Sequence, residues 1–285
     1  MGSARATDLR SSLVAGIVLA ALASLGTAPL AAAKDEGIPF SRASVFGENV
    51  EVRAGTASNW GRLEDGTLLR TGDAVRTGTD AVLRVDFPWT TIILGPESSL
   101  EIPASRVLSV RLLAGRIEQR SEGADILKIQ TPEVLVRGRG HVVVRQTPDR
   151  TTVVDRLGRF SVRASGRSVN LEPTRATVIA KGKTPTAPTP LPATPQVAVA
   201  GNDPLYVGLD SPVTLEWSGE DARSHLVELV EVGPETPVIQ RDVGVSPVTI
   251  QIPWAGTYRW RVLARTTDGV ESLPSREGVL CVTSF

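Results

Sequence analysis

Leu68-Leu69-Arg70-Thr71-Gly72-Asp73-Ala74-Val75-Arg76-Thr77-Gly78-Thr79-Asp80-Ala81-Val82-Leu83-Arg84-Val85-Asp86 holds two Thr-Gly pairs, six residues apart. Glycine adopts positive φ without a Cβ penalty, so each pair can turn the chain sharply. Asp73 and Thr79 follow the glycines, where a short oxygen-bearing side chain bonds nearby backbone and holds a turn. Between and after the turns, residues 74–76 and 81–85 alternate as short strands do. The stretch predicts a compact all-β domain of short strands and tight corners, with Gly72, Asp73, Thr77 and Gly78 as structural residues.

The same pattern continues outward. Residues 49–53 alternate, and residues 82–87 and 91–94 flank Pro88-Trp89, which is turn chemistry between paired strands. After a break at Gly95-Pro96 come runs at 100–102, 107–113 and 116–118, the last two separated by Gly115. Runs at 127–130, 134–136, 141–145, 151–154, 160–163 and 176–179 complete the series, with Gly138 among the turn glycines. No sustained 3.6-residue apolar period marks a helix. Short runs at this spacing, with varied turns and no strict repeat, predict an irregular β-solenoid or roll-like fold over residues 45–183.

Residues 1–33 read as an export signal. Arg5 and Arg10 precede an apolar run at 13–25, and Ala31-Ala32-Ala33 offers a small-residue cleavage site before Lys34. Retention as a membrane anchor is the alternative, since residues 13–33 carry no charge over a bilayer-spanning length of about 20 residues. In both cases the chain from Lys34 onward is expected outside the cytoplasm, periplasmic or secreted.

Composition changes over residues 184–200. Pro185, Pro188, Pro190, Pro192 and Pro195 should resist both ladder and helix and favour polyproline II, spanning about 37 Å over residues 184–195. This predicts a semi-stiff linker. Residues 203–285 then read as an aligned β-sandwich of the Ig-like type. Val213, Leu215 and Trp217 share one face. Tyr258, Trp260, Val262 and Ala264 share another, with Arg259, Arg261 and Arg265 expected outside.

The 31 basic and 31 acidic residues cancel, so no general attraction to nucleic acid is indicated. Cys281 is the only cysteine, which excludes an intramolecular disulfide and a thiolate metal cluster; it is expected to be a buried small hydrophobe.

The first domain resembles the FecR domain of bacterial cell-envelope proteins. Residues 68–78, 81–87, 92–100, 112–116, 129–138 and 140–144 carry the likeness, in the family's order, over about residues 45–183. Gly138-Arg139-Gly140-His141 and Phe87-Pro88-Trp89-Thr90 depart from the family's usual turns. The second domain resembles a fibronectin type III module through 215–217, 256–262 and 268–275. The best-known FecR relatives are membrane-spanning regulators with a cytoplasmic sigma-factor-binding segment. Only about ten residues precede the apolar run here, so that role is not expected to carry over.

Two histidines, His141 and His225, fall in different domains; a two-histidine metal site within one domain is excluded, and both are expected to be structural. Asp73, Asp86 and Asp155 are the carboxylates an acid–base pair would draw on, but turn and strand-end roles account for them. A hydrolase of envelope polysaccharide resting on Asp86 or His141 is a rival reading. Arg137 and Arg139, beside glycines, are the candidates for contact with an anionic sugar or a partner's carboxylate. The expectation is an exported, non-catalytic binding or scaffold protein of the cell envelope, without cofactor or metal. Its partner would be another envelope protein or a cell-wall glycan, not nucleic acid. The alternative is a membrane-anchored periplasmic sensor.

Overall fold

The computed structural model describes residues 39–103, 109–122, 127–197, 204–219, 222–232 and 236–284, so the export segment and residues 107–108 of one expected run lie outside the described residues. In chain order the first lobe begins with β1 (Pro39–Phe46), β2 (Val50–Arg53), β3 (Gly61–Arg62), β4 (Leu68–Arg70) and β5 (Ala74–Thr77). It continues through β6 (Val82–Phe87), β7 (Thr90–Leu94), β8 (Ser99–Glu101), β9 (Ser109–Ser121) and β10 (Leu127–Gln130). β11 (Val134–Gln146), β12 (Arg150–Ala164), β13 (Arg167–Leu171) and β14 (Arg175–Ala180) complete it.

The architecture is all-β, with no closed barrel. One sheet runs β14-β12-β11-β10-β9-β7-β6-β1-β4, and a second arm pairs β9 with β8, β8 with β5, β5 with β2 and β2 with β3. β9 belongs to both arms. Its first half pairs with β8 and, in parallel, with β10, while its second half pairs with β7 and β11. The crease falls at Gly115, whose φ is +90° and where a Cβ would lie 2.5 Å from Ser98 Cα. The two arms fold over one apolar core that includes Val75, Leu83, Ile92, Leu100, Leu112, Val144 and Phe160.

Glycines expected to end strands lie inside them. The runs at 134–136 and 141–145 are one strand, β11, and those at 151–154 and 160–163 are one strand, β12. Gly138 admits the Phe160 ring, which an added Cβ would meet at 2.4 Å. Gly140 and Gly158 face each other in the ladder at φ of +115° and +146°. A glycine that clears space for a neighbour looks in sequence like one that turns the chain.

In the stretch 68–86, Gly72 turns at φ +95° and Asp73 clamps the corner, accepting from the Gly55 N–H at 2.9 Å and the Arg70 N–H at 2.8 Å. Gly78 works differently: it does not need positive φ, but a Cβ there would lie 2.9 Å from Asn49 Cβ. Buried Thr77 donates to Gly95 O at 2.6 Å and accepts from the Ser98 N–H at 3.0 Å, tying the stretch to the opposite corner.

The proline segment does not stand off as a spacer. Within it β15 (Thr189–Pro190) pairs antiparallel with β14, placing Pro190 opposite Arg175, and Val178 exchanges backbone and hydroxyl hydrogen bonds with Thr186. Proline lacks a donor but keeps its carbonyl, so it can close an edge. β16 (Gln196–Val197) then leads to the second lobe of β17 (Leu205–Gly208), β18 (Val213–Leu215), β19 (Trp217–Ser218) and β20 (Ser224–Glu231). β21 (Pro237–Val243), β22 (Val248–Ile250), β23 (Gly256–Arg265) and β24 (Gly278–Thr283) follow. Its main sheet runs β17-β24-β23-β20-β21 and covers a core containing Trp217, Val227, Leu229, Tyr258, Trp260 and Leu280. His225 is buried edge-on against Trp217, with ring centroids 5.2 Å apart. Cys281 is half-buried rather than fully enclosed, because it lies on the outward parity of β24. Residues 37–285 form one compact unit.

Candidate functional site

Even-numbered residues of β11, Val136, Val142 and Val144, point into the first core, so the odd-numbered ones define an outer face: Leu135, Arg137, Arg139, His141, Val143 and Arg145. Strand register extends that face across the sheet. His141 lies opposite Arg120, Val143 opposite Glu118 and Arg145 opposite Arg116. One half of the face is covered by the second lobe and the other half is open.

The covered half is ionic. Glu271 of the second lobe accepts from Arg116 Nε at 2.9 Å, Arg116 Nη2 at 3.0 Å, Arg156 Nη2 at 3.1 Å and Arg265 Nη2 at 3.1 Å. Glu118 accepts from Arg116, Arg156 and Arg120, and lies 2.9 Å from His141 Nε2. Glu228 accepts from Arg261 Nε at 2.7 Å and Gln240 Nε2 at 2.8 Å, and Arg116 Nη2 approaches it at 3.7 Å. All three glutamates are buried. Burial alone would raise the Glu271 carboxyl, yet Arg116, Arg265 and Arg156 hold it far below the usual carboxylate range. Against the same burial penalty, Arg156, His141 and Arg116 hold Glu118 well below it. A small apolar cluster of Val143, Val154, Ala176 and Val270 seals one side of this contact.

Arg261 and Arg265, expected outside the sandwich, are therefore buried. Alternation separates the two faces of a strand but cannot tell that the second face meets another lobe. Arg116, Glu118, Arg156 and Glu228 went unrecognised for the same reason.

The open half is cationic. Arg137 and Arg139 stand exposed on β11, within a strand rather than on the turn the flanking glycines suggested. Register sets Lys128 of β10 opposite Arg137, Arg159 of β12 opposite Arg139, and Arg163 opposite Leu135. Directly opposed side chains have Cβ atoms about 4.5–5.5 Å apart, so these five cations form one patch. Among the described residues none of the five has an ion-pair or hydrogen-bonded side-chain partner, and β10, β11 and β13 contain no Asp or Glu. Asp155, the acid of β12, shares the inward parity of Val153. Like charges facing each other weaken a ladder, so this arrangement does not serve the sheet. Arg159, Arg163 and Lys128 were missed in sequence because cross-strand register alone joins them to Arg137 and Arg139.

The acid–base candidates are scattered. Asp73 serves its turn. Asp86 is bonded to Arg84 Nε at 2.8 Å and to Thr91 Oγ1 at 2.8 Å. His141 is half-buried on Glu118, not at a strand start, and burial lowers its pKa despite that carboxylate. Asp155 is fully buried, its carboxyl oxygens have no hydrogen-bond partner among the described residues, and burial pushes its pKa up to about 7. Among the described residues no group of three or more His, Cys, Asp or Glu could hold a metal ion, and no helix is long and apolar enough to cross a membrane.

No family model matches the chain, and no curated protein matches it. Solved structures give distant overlays. A proposed anti-sigma factor from Parabacteroides distasonis is 18% identical over 41% of this chain and 59% of its own, with a TM-score of 0.36. The extracellular domain of a proposed one-component system from B. thetaiotaomicron is 12% identical over 72% of this chain and 28% of its own, with a TM-score of 0.22. The chain thus spans less than two thirds of either protein, and overlays this distant assign neither fold nor activity.

Proposed function

We propose that this chain is an exported, non-catalytic binding protein of the bacterial cell envelope, built on a FecR-like lobe and a fibronectin-like lobe, that recognises an acidic cell-wall glycan. The observation that carries the reading is the open cationic face of Lys128, Arg137, Arg139, Arg159 and Arg163. Successive outward residues on a strand repeat about every 6.6 Å, which suits a polymer that repeats its carboxylates rather than a single small anion. Guanidinium groups bind carboxylates bidentately, and an incoming polyanion relieves the repulsion between Arg139 and Arg159. The export-type N-terminus, with Arg5 and Arg10 before the apolar run at 13–25, supports a location where such a polymer is found.

Co-sedimentation of the protein with purified peptidoglycan sacculi tests the reading. Wild type should pellet with sacculi in low salt and be released as salt rises, because exposed charges are screened. Arg139→Glu faces Arg159 across the ladder. It should fold with slightly raised stability, about 0.2–1 kcal/mol, while losing the pelleting. Wild type that stays in the supernatant, or Arg139→Glu that pellets equally, rejects the proposal.

A further inference from the structure

Between the lobes lies a cleft of about 300 Å³. It is separate from the open face and independent of the glycan reading. Arg116 and Arg145 reach it from the first lobe, Arg241 and Arg265 from the second, and the acids on its walls are Glu97 and Asp242. Four guanidinium groups and two carboxylates line the cleft; Arg116 and Arg265 also bond Glu271, and Asp242 accepts from Arg265 Nη1 at 2.6 Å, with Arg145 Nη2 farther away at 3.6 Å. Arg241 leans outward to Asp80 at 3.3 Å.

Donors are left over. Arg116 and Arg265 are both about 95% buried, yet Arg116 Nη1 and Arg265 Nε find no acceptor among the described residues. A guanidinium cannot shed its proton to escape that state, and a buried donor without an acceptor is unfavourable. Arg145 feels the same excess: burial, then repulsion from Arg265, lowers its pKa despite Asp242 and Glu271 nearby. Gln240, whose Nε2 is held by Glu228, also lines the cleft, and its Oε1 is buried without a hydrogen-bond partner among the described residues.

We infer that the interlobe cleft is a binding site for a small ligand carrying one oxyanion group, a phosphate or a carboxylate, held by Arg145 with Arg116, Arg241 and Arg265 from both lobes. The volume is at the lower end of small-molecule sites, so it admits a single charged group with a small body and not a polymer strand. Oxygens of either group match the planar fork of arginine. Because donors come from both lobes, occupancy should strengthen their union, and a ligand that binds only the folded state raises its melting temperature.

The test is isothermal calorimetry and thermal unfolding of the full chain with inorganic phosphate and with glucuronate, each against sodium chloride at matched ionic strength. At least one anion should bind saturably with unit stoichiometry and raise the melting temperature beyond the chloride control. Phosphate alone would assign the site to phosphate or its esters, and glucuronate alone to sugar acids. Response to both would assign it to oxyanions generally. Arg145→Gln should weaken binding by about tenfold or more, the loss of one charged hydrogen bond. Arg241→Gln, at an exposed position, should weaken it less. Absence of saturable binding by both anions overturns the inference, as does Arg145→Gln binding as tightly as wild type. Should Arg145→Gln fail to fold, undiminished binding in Arg241→Gln overturns it.

Discussion

Replacing Glu271 by Gln should cost about 3–5 kcal/mol, the loss incurred when one member of a buried ion network is removed and its partners keep their charge. Glu271 is 1% exposed and accepts hydrogen bonds from three guanidinium groups, Arg116, Arg156 and Arg265. Glutamine keeps one carbonyl acceptor but turns an amide N–H₂ toward donors that need an acceptor. For a folded unit of this size each kcal/mol is worth about 2–4 °C, so the melting temperature should fall by roughly 6–20 °C. Urea unfolding followed by tryptophan fluorescence and by circular dichroism measures the loss. Arg116→Met/Glu271→Leu separates a structural network from incidental contact. It leaves Arg156, Arg261 and Arg265 facing Glu118 and Glu228, the same excess of one buried positive charge as in wild type. Each remaining ion also keeps a partner: Arg156 keeps Glu118, Arg261 keeps Glu228, and Arg265 keeps Asp242. Apolar replacement of a buried pair is often neutral, so the double variant should recover most of the loss. A cost below about 1 kcal/mol for Glu271→Gln, or a double variant no more stable than the single one, would refute the reasoning. The pH dependence has a defined sign. Glu271 and Glu118 have folded pKa values below their unfolded ones, so their contribution is complete above about pH 4.5 and is lost as pH falls further, through the folded values.

Asp155 behaves oppositely. Its folded pKa is raised to about 7, so the folded state is penalised progressively as pH rises from about 4 to 7. Asp155→Asn should gain on wild type across that window, by up to about 4 kcal/mol above pH 8; a pH-independent difference in urea midpoints would contradict this. Gly115→Ala should destabilise by about 2–5 kcal/mol, combining positive φ with the collision against Ser98, and should exceed Gly78→Ala, which has no positive φ and meets Asn49 Cβ at 2.9 Å and Asn49 O at 3.3 Å. Equal melting temperatures for the two would show that the crease of β9 is not where the roll is set. Trp217→Ala and Trp260→Ala should each cost about 3–5 kcal/mol, since both rings lie in the second core; near-neutral melting shifts would remove them from it.

The local grammar of this chain was legible in its residues. Alternation located most strands of both lobes, the hairpin at Pro88-Trp89, the Gly72 corner with Asp73, and the buried ring set Trp217, Tyr258 and Trp260. These follow from period-two burial and turn chemistry, which act between near neighbours. Glycine was less transparent, because Gly78, Gly138 and Gly158 serve neighbours brought close by the fold. The outer faces were not legible at all. An arginine on the polar side of a strand reads as solvated whether it meets water, as Arg137 and Arg139 do, or a second lobe, as Arg261 and Arg265 do. Sequence therefore determined an all-β chain in two lobes and pointed to one pair of arginines. Tertiary structure alone decided that the lobes close on three buried glutamates. It also decided that cations gather into an open face and line a cleft, because strand register sets Arg139 against Arg159 and long-range pairing sets Arg116 against Glu271, contacts that no local pattern encodes.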